Sequence, residues 1–317
     1  MSDSSHPLRV THKQPLTSDI TLFTLAHPEG ERLPTFTPGA HIVVETPSGK
    51  RRSYSLCSAP EDTGAWQIAV KRDANGRGGS ASLVDDVQAG DLVMASPWSN
   101  LFELQTKAAE FIFIAGGIGI TPILSMIRYL RSQGQDHFKL YYCTRDKPST
   151  AFLDELHEMG LGDRITVHHD HGDLNQAFDF WPIFETPSKA HVYCCGPQGL
   201  MDSIRDMSGH WPNEQIHFES FGATTISTTN DQPFEVVLQQ TGERITVAAN
   251  QSILEALRAC GHHVPSSCES GSCGSCRTPL IAGEADHRDM VLNPGEHASH
   301  IMVCVSRAKS DELVLDL

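Results

Sequence analysis

The sequence predicts a multidomain protein: an antiparallel β-barrel, then an α/β domain on a parallel sheet, then a small α+β domain. Three observations carry that prediction. Short β-rich runs alternate with turn residues from Leu8 to about Leu104, and strand and helix patterns alternate from about Lys107. A polar stretch after Gly222 then precedes a closing segment of about eighty-five residues. Repeated short strands with turn chemistry favour a closed antiparallel sheet, whereas strand–helix alternation favours a parallel one. The length of 317 residues suits two or three domains at roughly 100–200 residues each.

Taken in order, HIVVET, WQIAVKR and DLVMASP read as strands punctuated by PSGK, DANGRGG and QAGD. FIFIAG reads as a buried strand, after which Pro122 opens a helix with Ile123, Leu124, Ile127 and Leu130 on one face and Gly134 as its terminator. FKLYYC, RITVHH and HVYCC follow as strands, with a helix around FLDELHEM. ATTISTTNDQ lacks large apolar groups and reads as a linker. PFEVVLQ and RITVAA then flank the turn Gln240-Thr241-Gly242 as a hairpin. Ser252 and Glu255 stand at capping-box spacing before a helix that buries Ile253, Leu254 and Leu257 and stops at Gly261. The expected boundaries are 1–106, 107–223, a linker at 224–232, and 233–317.

Charge narrows the function. With 24 Lys and Arg against 39 Asp and Glu, the net charge of −15 repels phosphate backbones and anionic lipid, so neither a nucleic acid nor a membrane surface is expected as partner. The most apolar stretch, the seventeen residues from Phe111 to Ile127, contains three glycines, Thr121, Pro122 and Ser125. That is short of the ~20 apolar residues of a spanning helix. The start, MSDSSHPLRV, lacks a basic region followed by an apolar run, and a cytoplasmic location is expected. Nine cysteines are an odd number, and Cys268, Cys273, Cys276 and Cys304 cluster within the last fifty residues, a pattern that points to metal ligation rather than disulfides.

Four residues separate Cys268 from Cys273, two separate Cys273 from Cys276, and twenty-seven precede Cys304. This is the plant-type spacing for a [2Fe–2S] cluster. Small residues between the cysteines let the loop curl so that backbone N–H groups face the cluster sulfurs. Structural zinc is the alternative, although zinc sites usually take two short pairs rather than one short and one long. Cys57, Cys143 and Cys260 are expected to be buried packing residues.

A [2Fe–2S] cluster passes single electrons, whereas common cellular reductants deliver hydride, so something must split the pair, and a flavin can do so. Arg52-Ser53-Tyr54-Ser55 offers a cation for a phosphate and a ring for an isoalloxazine, and VKRDANGRGGSASL places glycines and Ser80 before a short helix, a seat for an anion. Read alone, the four residues also fit an exposed strand with a satisfied tyrosine. FIFIAG running into Gly116-Gly117-Ile118-Gly119-Ile120-Thr121-Pro122 supplies strand, glycine turn and helix start for a dinucleotide, with Pro122 where a third glycine would stand. Cys194-Cys195-Gly196-Pro197 ends the last strand read in this domain. The lesser alternative is that both are ordinary strand-to-helix turns. His168-His169-Asp170-His171-Gly172-Asp173 has ligand chemistry, but neighbours in a strand face opposite ways, so a polar strand end is expected there.

RRSYSL, VKRDANGRGGS, AGGIGITP, HVYCCGPQGLMD, HFESFGA, SSCESGSCGSC, GEADHRDMVL and MVCVSRAKSDELVLDL together resemble the phthalate dioxygenase reductase family along essentially the whole chain. The resemblance implies an FMN-binding barrel, an NAD-binding domain and a C-terminal ferredoxin domain of β-grasp type, carrying electrons from NADH to a Rieske-type aromatic-ring oxygenase. It implies that Arg52, Ser53, Tyr54, Ser55, Val70, Lys71, Arg72, Gly78, Gly79, Ser80 and Thr121 hold FMN and that Phe221 packs near its ring. It places nicotinamide beside Cys195, Gly196 and Pro197, with Gly117 and Gly119 in the turn opposite and Thr121 and Cys195 at the reacting centre. The likeness of GRGGS points to FMN where other relatives of the barrel use FAD. The family favours NADH, while Arg145 and Asp146 both stand where an acid or a base sets the choice against NADPH. A monomer is expected. The alternatives are the reductase of another Rieske monooxygenase, such as a vanillate-type demethylase or an amine-oxidising enzyme, and a zinc or redox-sensing module.

Overall fold

The computed structural model describes residues 5–74, 76, 78–221, 231–266, 269, 271, 274–289, 291–293 and 295–317. The chain divides into two compact units, Met1–Glu219 and Ser220–Leu317. The first holds two sheets, so the first two predicted domains share one unit. Linker residues 224–230 lie outside the described residues.

The first sheet comprises β1 (His6–Pro15), β2 (Ile20–Ala26), β3 (His41–Glu45), β4 (Arg51–Ser55), β5 (Trp66–Lys71) and β6 (Leu92–Ala95), with α1 (Gly79–Asp86) between the last two. Its order is β4-β3-β6-β1-β2-β5, antiparallel throughout, and a bridge from Leu56 to Ile68 joins the two edges into the expected barrel. Alternate residues build the interior: Leu8 and Val10, Ile42 and Val44, and Trp66, Ile68 and Val70 all belong to one buried cluster. The first two strands are additions to the sequence reading.

The second sheet is assembled from β7 (Phe111–Gly116), α2 (Ile120–Ser132), β8 (Phe138–Thr144), α3 (Leu153–Glu158), β9 (Ile165–His169), α4 (Trp181–Phe184), β10 (His191–Cys195), α5 (Gln198–Ser208) and β11 (Ile216–Glu219). All its strands are parallel, in the order β11-β10-β7-β8-β9. Central β7 is buried at all six residues, as a strand covered on both faces must be. The chain leaves β7 toward β8 and β9, then returns to place β10 on the other side. The switch point, where such sheets bind ligands at their carboxyl edge, therefore lies between β7 and β10. Helix α2 begins two residues before Pro122. It ends as predicted: Gly134 takes φ +68°, its N–H reaches Arg131 O at 3.0 Å, and Gln135 N–H reaches Leu130 O at 2.8 Å, closing a Schellman motif.

The second unit carries β12 (Phe234–Leu238), β13 (Arg244–Val247), α6 (Ile253–Ala259), β14 (Arg277–Ala282), β15 (Ala285–Asp286), β16 (His300–Met302), β17 (Arg307–Ala308) and β18 (Glu312–Leu315). The sheet order is β13-β12-β18-β14-β16, with β12 and β18 parallel at the centre and α6 crossing between hairpin and cysteine loop, as in a β-grasp. The Ser252–Glu255 capping box forms in both directions, and Gly261 at φ +87° ends the helix. Asp231 and Gln232, expected in the linker, are instead tied to this unit. Asp231 pairs with Arg288 at 2.6 Å and Arg307 at 3.3 Å, and Arg307 also donates to Gln232 O at 3.0 Å.

One packing expectation needs correction. Cys57 is buried, but Cys143 is only partly covered and Cys260 is exposed. Cys260 sits at the C-cap of α6, where the chain turns out of the apolar face.

Candidate functional site

The residues expected at a flavin phosphate start on β4, paired through Arg52 to Val44 and through Tyr54 to Ile42 of β3. Gly78, at φ +85°, turns the chain into α1. A Cβ on the next residue, Gly79, would stand 3.0 Å from Arg52 Nε, so the helix start and that guanidinium lie close together. A cation and a helix N-terminus on the same side combine two positive potentials, an arrangement that receives an anion. The Ser80 hydroxyl accepts from Asp73 N–H at 3.1 Å and ties the loop to the helix. The Arg72 guanidinium forks onto Asp85 at 2.8–3.2 Å, and its backbone N–H donates to Asp19 O at 2.7 Å. Lys71 pairs with Asp19 at 3.6 Å, and Val70 lies in the barrel core.

Tyr54 carries an orphan. Its hydroxyl is buried without a hydrogen-bond partner among the described residues, and burial pushes its pKa up. Ser55 Oγ donates to Glu219 Oε2 at 3.4 Å, and Glu219 is the register partner of Cys195 on the neighbouring strand. Burial, with the Glu219 carboxylate adding to it, drives the Cys195 thiol pKa well above its ordinary value. The Cys195 side chain is wholly buried in the core of the parallel-sheet domain. Glu219 was missed in the sequence, although it stands in the same HFESFGA run as Phe221. Phe221 itself is 39% exposed and falls in the second unit.

At the switch point the two strand ends touch through main chain. A Cβ at Gly119 would lie 2.1 Å from Cys195 O, one at Gly116 2.5 Å from Pro197 Cδ, and one at Gly196 2.9 Å from Gly116 Cα. Gly117 takes φ +54°. Gly116, Gly119 and Gly196 thus allow contact between the two turns, whereas Gly117, with open space around it, supplies a backbone conformation. Thr121, buried in the first turn of α2, donates to Ile118 O at 3.1 Å. Beyond β8, the Ser149 side chain, together with the Ser149 N–H that donates to Asp146 at 2.9 Å, holds the Asp146 carboxyl below the usual range. The histidine run is a polar strand end: His169 bonds Thr144 Oγ1 at 2.9 Å and His168 bonds Gln176 O at 2.6 Å. No metal-binding group of three or more His, Cys, Asp or Glu side chains occurs among the described residues.

In the second unit, Cys276 directly precedes β14 and Cys304 follows β16, whose residues Arg277 and Met302 pair. Val303 N–H donates to Cys276 O at 3.4 Å, so the two buried thiols stand at one end of a single ladder. Gly271, at φ +74°, approaches the Cys304 turn so closely that a Cβ there would lie 2.7 Å from Val305 Cγ2. Glu269, at φ +49°, is held by Arg258 at 2.6 Å. Cys268 and Cys273 lie outside the described residues.

Barrel, parallel sheet and β-grasp, each with the glycine contacts just described, define an oxidoreductase of modular type. Residues 7–99 match the oxidoreductase FAD-binding domain, 113–206 the oxidoreductase NAD-binding domain, and 236–309 the 2Fe-2S iron-sulfur cluster binding domain. The chain is 54% identical to phthalate dioxygenase reductase of Burkholderia cepacia, over 98% of this chain and 97% of that one. It is 52% identical to the phthalate 4,5-dioxygenase oxygenase reductase subunit of Pseudomonas putida, over 100% and 98%. A solved phthalate dioxygenase reductase, described as a modular structure for electron transfer from pyridine nucleotides to [2Fe-2S], superposes with TM-score 0.90 at 53% identity, covering 99% and 98%. The chain belongs to the phthalate dioxygenase reductase family. It is an oxidoreductase with flavin-, NAD- and [2Fe–2S]-binding domains, and no described helix is long and apolar enough to cross a membrane.

Proposed function

We propose that this protein passes electrons from NADH through FMN and a [2Fe–2S] cluster to a Rieske-type aromatic-ring dioxygenase acting on phthalate. The observation that carries the reading is the likeness, over nearly the full chain and in the same domain order, to two reductases of phthalate oxygenases. The working domains are then 1–106, 107–223 and 233–317, in a monomeric cytoplasmic protein.

The residues present fit these groups. The orphaned Tyr54 hydroxyl and the Arg52–Gly79 approach suit a flavin phosphate and its neighbouring polar atoms, and two buried thiols at one end of a ladder, with Gly271 close to Val305, suit a cluster. When bound, the flavin accepts an electron pair as hydride and releases it singly, and the cluster takes one electron at a time. Arg52 and the Gly78-Gly79-Ser80 turn bind the phosphate, while Ser53, Tyr54, Ser55 and Thr121 line the ring. Val70, Lys71 and Arg72 contribute main chain. Gly117, Gly119, Gly196 and Pro197 shape the nicotinamide seat, and Cys195 forms its buried floor. The Ser55–Glu219 pair holds a proton-bearing hydroxyl and a carboxylate beside that floor. Cys268, Cys273, Cys276 and Cys304 ligate the cluster.

Two measurements test the reading. Flavin released by heat and separated by chromatography is expected to be FMN, and recovery of FAD overturns that assignment. Purified protein mixed with phthalate dioxygenase, NADH and phthalate is expected to support dihydroxylation. Turnover only with a demethylating or amine-oxidising oxygenase would move the protein to another branch of the family.

A further inference from the structure

Arg128 lies two turns along α2 from Thr121, and its guanidinium joins three elements. Nε donates to Glu155 Oε1 at 3.0 Å and Nη2 donates to the same oxygen, which fixes the plane of the fork against α3. Nη1 is thereby aimed at the barrel, where it donates to the Cys57 carbonyl and to Gln67 Oε1 at 3.2 Å. Cys57 comes two residues after β4, Gln67 is on β5, and Cys57 N–H donates to Gln67 O at 2.9 Å. The two barrel strands that carry Arg52–Ser55 and Val70–Lys71 are thus fastened to the helix that carries Thr121. The Arg128 side chain is 17% exposed, shielded enough for directional charge-assisted bonds to hold their angles.

We propose that Arg128 is a positioning residue for hydride transfer, setting the spacing and tilt between the flavin-side strands and the nicotinamide-side turn. The inference rests on the reading of those two sites given above. Reacting atoms must come within about 3–3.5 Å, and a displacement of about 1 Å can cost a hundredfold in rate. The flavin side belongs to the barrel apart from Thr121, which α2 brings to it, and the nicotinamide side belongs to the parallel-sheet domain, so whatever joins the two domains sets that distance. Arg128 lies on α2 two turns from Thr121 and joins the domains through Cys57, Gln67 and Glu155, so its loss should spare cofactor affinity.

Other contacts keep the joint assembled without it. A Cβ at Gly39 would stand 2.9 Å from Met126 Cε, so the barrel meets α2 there directly. The Tyr193 hydroxyl donates to Glu103 O at 3.2 Å and accepts from Gln105 N–H at 2.8 Å, pinning the connecting segment to β10. An Arg128 variant is therefore expected to fold with its domains together but with their relative tilt less tightly set.

The test is anaerobic stopped-flow reduction of the flavin-loaded full chain by NADH. In Arg128→Met, the limiting rate of flavin reduction is expected to fall about 10- to 100-fold. Half-saturation by NADH and flavin content should stay within about threefold of wild type. Arg128→Lys, which reaches one partner at a time, should recover part of the rate. A lowered thermal midpoint with a limiting rate within about twofold of wild type marks a merely structural residue and overturns the proposal. A rise in half-saturation with an unchanged limiting rate does the same. Should Arg128→Met not fold, Gln67→Met and Glu155→Leu each remove one arm of the fork, and unchanged limiting rates in both overturn it. A wild-type protein whose flavin NADH does not bleach overturns the proposed function itself, an outcome separate from any variant.

Discussion

Tyr54 has opposite fates in the empty and loaded protein. Its hydroxyl is buried without a partner among the described residues, a deficit of ~1–3 kcal/mol that a ligand atom would remove. Tyr54→Phe should therefore raise the thermal stability of flavin-free protein while weakening flavin binding by about tenfold. Calorimetry of the apoprotein together with a fluorescence titration checks both signs, and a variant that loses stability without flavin would show that the hydroxyl is already satisfied. His217 has a different problem. It stacks on Tyr193 at 4.4 Å and bonds His191 at 3.0 Å, and burial, aided by its histidine neighbour, drives its pKa down to about 4. The unfolded chain takes up that proton near the ordinary value of about 6.5, so stability is full above pH 6.5 and is lost as pH falls toward 4. His217→Phe keeps the stack and removes the titration. Thermal midpoints measured from pH 7 to 4.5 should fall less steeply in the variant, and parallel slopes would remove His217 from the account.

Two glycines at helix ends show how one substitution can act through different physics. Gly119 has an ordinary φ of −62°, but its added Cβ would meet the Cys195 carbonyl at 2.1 Å and the Gly196 nitrogen at 2.9 Å, backbone atoms that cannot step aside. Gly134 has open space around it and an unfavourable φ of +68°. Gly119→Ala should raise half-saturation by NADH at least about tenfold with flavin retained, whereas Gly134→Ala should cost ~1–2 kcal/mol of stability and leave NADH binding alone. Reversed effects in steady-state kinetics and denaturant melts would contradict the assignment of contact to one and conformation to the other. The same contrast decides what the sequence could show. Gly134, Gly261 and the Ser252–Glu255 box are local signals, complete within a few residues, and all are found where the pattern places them. Strand β1 buries only Leu8 and Val10 of its ten residues, and β11 is only partly buried along its length, so neither carries a strong alternation. Ser55 and Glu219 lie 164 positions apart and Arg128 and Cys57 lie 71 apart, partnerships that no spacing rule reaches.

The division into two units, each with its own buried core, makes separable functions the natural expectation. The residues proposed for the flavin and nicotinamide sites, through Glu219, belong to the first unit, and the four cysteines belong to the second. Cys304 follows a three-residue strand and is buried among Ile301, Met302 and Val305. Cys304→Ser exchanges a soft thiolate for a poor iron ligand with little change in volume, so the β-grasp core should survive while the cluster is lost. No residue of the first core is touched. NADH oxidation with a small artificial acceptor that takes electrons at the flavin should then remain near the wild-type rate. Reduction of cytochrome c or the oxygenase, which depends on the later station, should fall at least about tenfold. Absorption spectra separate the two chromophores, and the variant should keep the flavin bands while the broad cluster absorbance disappears. Equal loss of both activities in a folded, flavin-loaded variant would contradict the series order. Full retention of cytochrome c reduction without cluster absorbance would mean that electrons leave directly from the first unit.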